Sequence, residues 1–453
     1  MLSISPRVGW LASVCLLAGC GGNAGRLQSA LDRSNGVVTL PPGVTEISRE
    51  LRVPPNAFDL EITGAPDSVL KAAPDFQGRA LIVVPNATKI NIHGFTIDGN
   101  RRQLSRPIDM PSAATTFLTQ FQGSAIIVDE SKDVTISNMR ITEVYGFAVL
   151  ASRTKKINIE KVTIQNTGGK NNRNRNNTSG GILLEESTDD FTVRDCVLAN
   201  VLGNGIWSHS TYLSQRNYRG IIANNKFDTI GRDAIQVGHA NRVRVEGNTG
   251  KRIGFPIEVV DVENQGTPVA IDTAGKVDES AYAKNQFEEV NGKCIDLDGF
   301  HDGEVSENTC VNRGAAADYP NGHYALVMNN SNRDMNSQLI VIRDNVFDGT
   351  KFGGIFIIGE GHRVTGNKLL NLNKWHCDNT PTQAACPQQP DDPDLMQAGI
   401  YLADRADRVA PARKNVIEGN VISGYRMSTR CILSNPKVSL ASNTITGNKC
   451  SDQ

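Results

Sequence analysis

After its first 20 residues the sequence has no apolar run near the roughly 18 residues that a membrane-crossing helix needs, so no later stretch reads as a span. An excess of charge is missing too. The 47 Lys and Arg residues face 48 Asp and Glu, and the one basic segment, around Arg173 and Arg175, is mostly Asn, which argues against a nucleic-acid partner. No apolar pattern of period 3.6 runs for as much as about ten residues, which excludes solenoids of paired helices or leucine-rich repeats. No Cys-x-x-Cys pair occurs, which removes the usual zinc spacing.

What the chain does have is a recurring asparagine, at Asn225, Asn248, Asn285, Asn308, Asn345, Asn367, Asn420 and Asn443. Four of the seven intervals are 22 or 23 residues, and those of 37, 37 and 53 leave room for inserted loops. A period in the twenties indicates stacked repeats of one elongated domain. The units read Ala234-Ile235-Gln236-Val237-Gly238 with Val243-Arg244-Val245, Cys294-Ile295-Asp296-Leu297-Asp298 with Val305, and Gly354-Ile355-Phe356-Ile357 with Val364. Such short alternating runs, closed by Gly or Asn, are strands. Three short strands per coil, over about 12 coils, make an all-β parallel β-helix. The Asn suits a corner because it tolerates left-handed backbone and its amide can bond to the Asn above and below. Earlier coils carry Phe95, Met139, Val162 and Cys196 at the same point, so the ladder switches from apolar to amide and Cys196 reads as a buried ladder residue.

On these motifs the chain resembles the pectin lyase-like superfamily of right-handed parallel β-helices. Leu27-Gln28-Ser29-Ala30-Leu31-Asp32, followed by Val37-Val38-Thr39-Leu40-Pro41-Pro42-Gly43, is similar to the family's short capping helix and first strand, and Gly94-Phe95-Thr96-Ile97-Asp98-Gly99-Asn100 to its first full coil. The resemblance implies the fold over about residues 25–450. That fold hosts lyases, hydrolases, epimerases and non-catalytic proteins, so the reaction must be argued from the site. The Asn-Thr-Asp and Gly-His-Gly motifs of polygalacturonases, the Arg-x-Pro-x-x-Arg of pectate lyases and the Asp-Pro-His-Glu of alginate epimerases are absent.

The first 20 residues stand apart. Arg7, the apolar run from Val8 to Ala18 and the lipobox Leu17-Ala18-Gly19-Cys20 read as a lipoprotein signal peptide with lipid on the Cys20 sulfur. Gly21 in place of Asp points to an outer-membrane anchor, with residues 21–26 as a tether and 27–453 as the β-helix domain. The expected location is therefore the cell envelope, which permits disulfides. Cys377 with Cys386 and Cys431 with Cys450 are expected to pair, and the pairing of Cys294 with Cys310 stays open.

In each coil one strand follows Gly/Ala-Ile-x-Leu/Val-x, with aliphatics inward and each x outward. Stacking aligns the outward residues: Ile127 and Asp129, Leu183 and Glu185, Trp207 and His209, Gln236 and Gly238, Glu258 and Val260, Asp296 and Asp298, Val327 and Asn329, Phe356 and Ile358, Tyr401 and Ala403. Insertions at 101–124, 169–180, 313–324 and 374–399 precede this strand, and those at 210–219, 262–280, 330–337 and 404–414 follow it, which predicts a groove for an extended polysaccharide. Trp207, Phe356 and Tyr401 read either as sugar-stacking rings or as supports for inserted loops, with His209, Glu185, Gln236 and Asn329 beside them.

The acidic centre is the sharper signal. Asp296 and Asp298 leave one strand on one face, with Glu258 expected one coil away. Two chemistries suit such acids: a carboxyl pair for glycoside hydrolysis, or a Ca²⁺ site of Glu258, Asp296 and Asp298 serving β-elimination of an acidic glycan. Lys293, His301, His239, His209 and Arg252 are the proton-transfer candidates. The reading is an exported, lipid-anchored protein that binds and cleaves or modifies an extended, acidic polysaccharide as lyase or hydrolase. Its rival is a non-catalytic glycan-binding or adhesive surface protein.

Overall fold

The computed structural model describes residues 23–452 except 34, 113–114, 212–213, 262–267, 379–385, 387–391 and 406. The expected signal peptide and Cys20 lie outside the described residues. A short helix, Asn23–Leu31, buries Leu27 and Leu31 on the first coil. It begins inside the stretch read as a tether, so residues 23–26 are helical. Among the described residues no helix is long and apolar enough to cross a membrane.

The body is a coil of parallel strands joined in one 37-stranded set, each strand hydrogen-bonded to its counterpart in the next coil. Each coil contributes a strand to three faces. One face runs through Ser124–Asp129, Phe147–Ser152, Gly180–Glu185, Asn204–His209, Ile235–Val237, Val269–Asp278, Lys293–His301, Leu326–Asn329, Ile355–Ile357 and Ile400–Leu402. Its register stacks Ile206, Ile235, Ile271, Ile295, Leu326, Ile355 and Ile400 in one buried interior column. These aliphatics are why the sequence coils: each strand is too short to bury its apolar face alone, and the next coil covers it.

The amide ladder is present, with two differences from the sequence reading. Asn225 accepts from the Cys196 N–H (3.0 Å), and each later Asn side-chain oxygen accepts from the backbone N–H and the amide of the Asn in the coil before it, as Asn285 does from Asn248 (3.0 and 2.9 Å). Its own Nδ2 donates back to a carbonyl, Val245 for Asn285 (2.9 Å). The left-handed corner residue, however, is the one before the ladder Asn. Asn224, Gly247, Lys284, Glu307, Asp344, Gly366 and Gly419 all have positive φ, as do Gly94, Asn138, Lys161 and Asp195 before the apolar members. The ladder residue is thus chosen for its buried amide, while the corner tolerates several side chains. The ladder also ends on Asn448, which accepts from Asn420 (3.0 Å), and not on Asn443. Asn443 closes a separate short ladder, in which it accepts from Asn415 N–H and Asn415 accepts from His362 N–H (3.0 and 2.8 Å).

Three disulfides form: Cys377–Cys386, Cys431–Cys450 and Cys294–Cys310, the pair left open by the sequence. Cys196 is a free, fully buried thiol that burial pushes up to about 12, which makes it inert packing.

Candidate functional site

On the outer side of the first face the register runs Leu183, Trp207, Gln236, Asp272, Asp296, Val327, Phe356, Tyr401. Asp272 therefore occupies the place expected for Glu258. The coil between Asn248 and Asn285 inserts its extra residues before the strand, so Phe255-Pro256-Ile257-Glu258 mimics the strand pattern without forming it. Glu258 lies exposed on a one-turn helix, Ile257–Val259, and the strand is Val269–Asp278, part of a stretch read as an insertion. The signal that would have found it is Ala270-Ile271-Asp272, which repeats the Ala-Ile-x pattern of Ala234-Ile235-Gln236.

Asp272 and Asp296 face each other from adjacent coils, about 4.8 Å apart at the backbone, and both are nearly buried at 8 and 9 % exposure. Their polar partners differ. Gln236 Nε2 donates to Asp272 Oδ2 (2.5 Å), and Gln236 in turn accepts from Asn204 Nδ2 (2.9 Å). Burial, reinforced by Asp233 and Asp296, pushes Asp272 well above the usual carboxylate range. Lys293 Nζ, from three residues earlier on the same strand, contacts Asp296 Oδ2. Burial works against the lysine charge, but Asp296, Asp272 and Asp298 outweigh it and hold the ammonium above the usual lysine range. Lys293 is thus a fixed cation and not the proton acceptor anticipated. Asp296 Oδ1 is buried with no hydrogen-bond partner.

Asp298 follows on the same face. It accepts from Ser331 N–H and Oγ (2.9 and 2.5 Å), and burial raises it to about 6 despite those bonds. Asp233, also raised by burial, accepts from Val269 N–H (2.9 Å) and pairs with Arg232 (3.4 Å) at the start of the strand. His323, lowered to about 3 by burial and then by the Lys293 charge, brings a neutral imidazole, and its own Nδ1 has no partner. Asp233, Asp272, His323 and Ser331 were missed, because all but Asp272 come from residues outside the repeating strand pattern.

The other expected residues are placed differently. His301 is gripped between Asp278 (2.6 Å) and Asp302 (2.7 Å), with Asp278 also bound by Arg216 (2.8 Å), so both ring nitrogens are engaged. His239 packs its ring on Gly275 and is lowered to about 4 by burial. Arg252 pairs with Asp228 away from this face. Glu185 is fully buried and accepts the Phe117 and Leu118 N–H groups (2.8 and 2.7 Å) of the helical turn Phe117–Gln120. Trp207, 6 % exposed, lies under Phe117 (ring centroids 5.0 Å), and His209 meets the same ring at 5.0 Å and is lowered to about 4 by burial. Phe356 and Tyr401 stack on each other at 6.0 Å and are 8 and 0 % exposed. Asn329 exchanges two hydrogen bonds with Asp407 (3.0 and 3.1 Å). These rings and polar groups therefore hold inserted loops on the sheet; they are not open sugar platforms.

The metal set of Glu258, Asp296 and Asp298 is not assembled, since Glu258 lies outside the column. Among the described residues no three His, Cys, Asp or Glu side chains come together as a metal-ligating group.

Comparison with known proteins bears on the scaffold. A family profile described as "Right handed beta helix region" matches residues 80–270. The fold is a right-handed parallel β-helix. Among solved structures the chain is similar to PfbA, a surface adhesin of Streptococcus pneumoniae (15% identity, 76% of this chain and 86% of that one, TM-score 0.58). It is also similar to the A-module of the Azotobacter vinelandii mannuronan C-5 epimerase AlgE4 (12%, 77% and 90%, TM-score 0.53). A third is a mutant of the DFA-IIIase from Arthrobacter chlorophenolicus, solved in complex with DFA-III (12%, 94% and 96%, TM-score 0.52). At these identities the likeness is one of fold. No curated protein matches at the level of sequence.

Proposed function

We propose that this β-helix is an exported, lipid-anchored glycoside hydrolase, with Asp298 as general acid and Asp296 as the carboxylate that activates water or attacks the sugar. The observation that carries the reading is that two carboxyl groups on one strand face meet opposite environments. Asp296 has the Lys293 ammonium against one oxygen, while Asp298 is raised to about 6 and holds a proton below that pH. They are two residues apart, about 6–7 Å along the strand, which leaves room for a glycosidic oxygen and a water. Burial of Asp272 opposes a second negative charge beside Asp296. Hydrolysis is favoured over Ca²⁺-dependent elimination because Lys293 occupies the place where a cation would neutralise Asp296. An anionic sugar would add a negative charge that Lys293, already paired with Asp296, does not balance, so a neutral glycan suits the centre better than an acidic one.

The envelope location is supported by the signal sequence ending in Cys20 and by three disulfides. Labelled palmitate should enter the wild-type chain and not Cys20→Ser; equal labelling of both would remove the anchor from the account.

The test of activity is a panel of inulin, alginate and polygalacturonate, each as polymer and as di- to hexasaccharides, followed for new reducing ends and for the ultraviolet absorbance of unsaturated uronates. New ends without absorbance are expected, and absorbance would replace the hydrolase by a lyase. A second reading, a glycan-binding protein without chemistry, is favoured by the mutual pairing of Lys293 with Asp296, Gln236 with Asp272 and Arg232 with Asp233, as in a structural network. Binding without turnover across the panel would select it.

A further inference from the structure

We infer that the chain carries a second ligand site, for a sugar with vicinal hydroxyls, in an open cavity of about 460 Å³ on the flank of the coil. None of the residues lining it belongs to the Asp296 and Asp298 centre. The inference is independent of the catalytic reading and concerns binding alone.

The cavity lies where the third strand of each coil ends. Thr309–Val311, Val346–Asp348, Lys368–Leu372 and Val421–Gly424 stack in register there. The coils of Thr309–Val311 and Lys368–Leu372 run on into the insertions at 313–324 and 374–399. The coil between them has no insertion and reaches Ile355 directly through Gly349. Gly349 has φ +87°, and a Cβ there would lie 2.1 Å from the Asn312 carbonyl oxygen, so only glycine makes this close turn. The residues that begin the two insertions therefore line a gap above a short turn, and that gap is the cavity.

Its walls are fixed without a ligand. Lys374 Nζ crosses the gap, donating to the Asn312 and Arg313 carbonyls (3.3 and 3.5 Å) and contacting that of Gly314. All three of its donors are thus engaged in tying the walls together. Cys377 is bonded to Cys386, and Asn373 clamps it by accepting its N–H (2.9 Å) and donating to its carbonyl (2.8 Å). The neighbouring His376, at φ +58°, stacks its ring on Tyr425 with centroids 4.3 Å apart. Walls held in this way leave little to be ordered on binding.

The lining is polar apart from that aromatic pair, which suits a hydroxylated ligand and not an apolar one. Asp348 Oδ1 accepts from Asn371 Nδ2 (2.6 Å), which leaves the other carboxylate oxygen and the Asn371 side-chain oxygen as acceptors for neighbouring hydroxyls. Arg313 is paired only loosely, with Glu288 at 3.9 Å and both side chains largely exposed, so its guanidinium can serve a sugar oxygen or carboxylate. His376 and Tyr425 supply apolar surface for the C–H face of the ring. The Asp348 carboxylate in the lining opposes a compact anion such as phosphate.

The test is calorimetric titration of the full-length protein with the trisaccharides of inulin, cellulose, alginate and polygalacturonate, with inorganic phosphate as the anion control. At least one sugar should bind wild type and Asp296→Asn with Kd values within twofold of each other. Arg313→Met and Asp348→Asn should each weaken that binding at least fivefold, and exposed Arg313 gives a variant that keeps the fold even where Asp348→Asn lowers the unfolding temperature. Neutral and acidic sugars binding alike would assign Arg313 to a hydroxyl, and acidic sugars binding alone would assign it to the sugar carboxylate; both uphold the site. Phosphate displacing the sugar, no binding across the panel, or binding that Asp296→Asn removes and Arg313→Met spares would overturn it.

Discussion

Asp296 and Asp298 are the same residue type two positions apart, and their surroundings alone give them different roles. One contacts an ammonium; the other is desolvated and held by a serine. Because the acid must carry its proton, kcat/KM should fall about tenfold per pH unit above about 6, where Asp298 ionises. Glu185 is the same physics put to a structural use. Burial raises it from 4.5 to about 7, so the folded chain binds this proton more tightly than the unfolded one. Its contribution to stability is complete below pH 4.5 and is lost as pH rises through about 7, on the order of 3 kcal/mol in full. Glu185→Gln, which cannot ionise, should therefore gain in unfolding temperature relative to wild type as pH goes from 4.5 to 7; a pH-independent difference would show the carboxyl is not strained by burial. The alternation of the strand made Asp296, Asp298 and Glu185 legible as a set of outward residues. It did not reveal that Glu185 is a buried cap, because the Phe117–Gln120 turn that buries it comes from sequence far away in the chain.

At the level of the element, the ladder was the most readable feature and its corner the most misread. The sequence placed a left-handed Asn at each turn, yet the left-handed residue precedes it and varies among Gly, Asn, Lys, Glu and Asp. What repeats is the buried amide, because its removal strands backbone groups in two coils. Asn285→Ala would leave the Asn248 N–H and the Val245 carbonyl without their partners. It should destabilise the protein by at least about 3 kcal/mol in denaturant unfolding, against under about 1 kcal/mol for exposed Asn336→Ala. Equal effects would mean that water repairs the gap. Glu258 shows the opposite failure. A strand-like Ile-Glu-Val in a loop is indistinguishable by pattern from a strand, and only pairing with the neighbouring coils decides, which assigned the column to Asp272.

For the whole molecule, the repeat made the solenoid plain, but whether its face is a groove or a pocket depends on how long loops fold back, which no repeat encodes. A solenoid also frays from its ends. Cys431–Cys450 ties the last described coils across a 19-residue separation, worth about 3 kcal/mol by loop closure. Replacing both cysteines by serine should expose the C-terminal coil to limited proteolysis while leaving the middle of the chain protected; simultaneous cleavage throughout would show that the helix unfolds as one unit.

The central claim is that Asp296 and Asp298 form a catalytic carboxyl pair. It is tested most directly by measuring glycoside turnover of wild type, Asp296→Asn and Asp298→Asn from pH 4.5 to 8, with unfolding temperature recorded for each. The account predicts a wild-type rate that declines above about pH 6 and losses of roughly 10²–10⁴-fold in both variants with the fold retained. Turnover unchanged in either folded variant would contradict it.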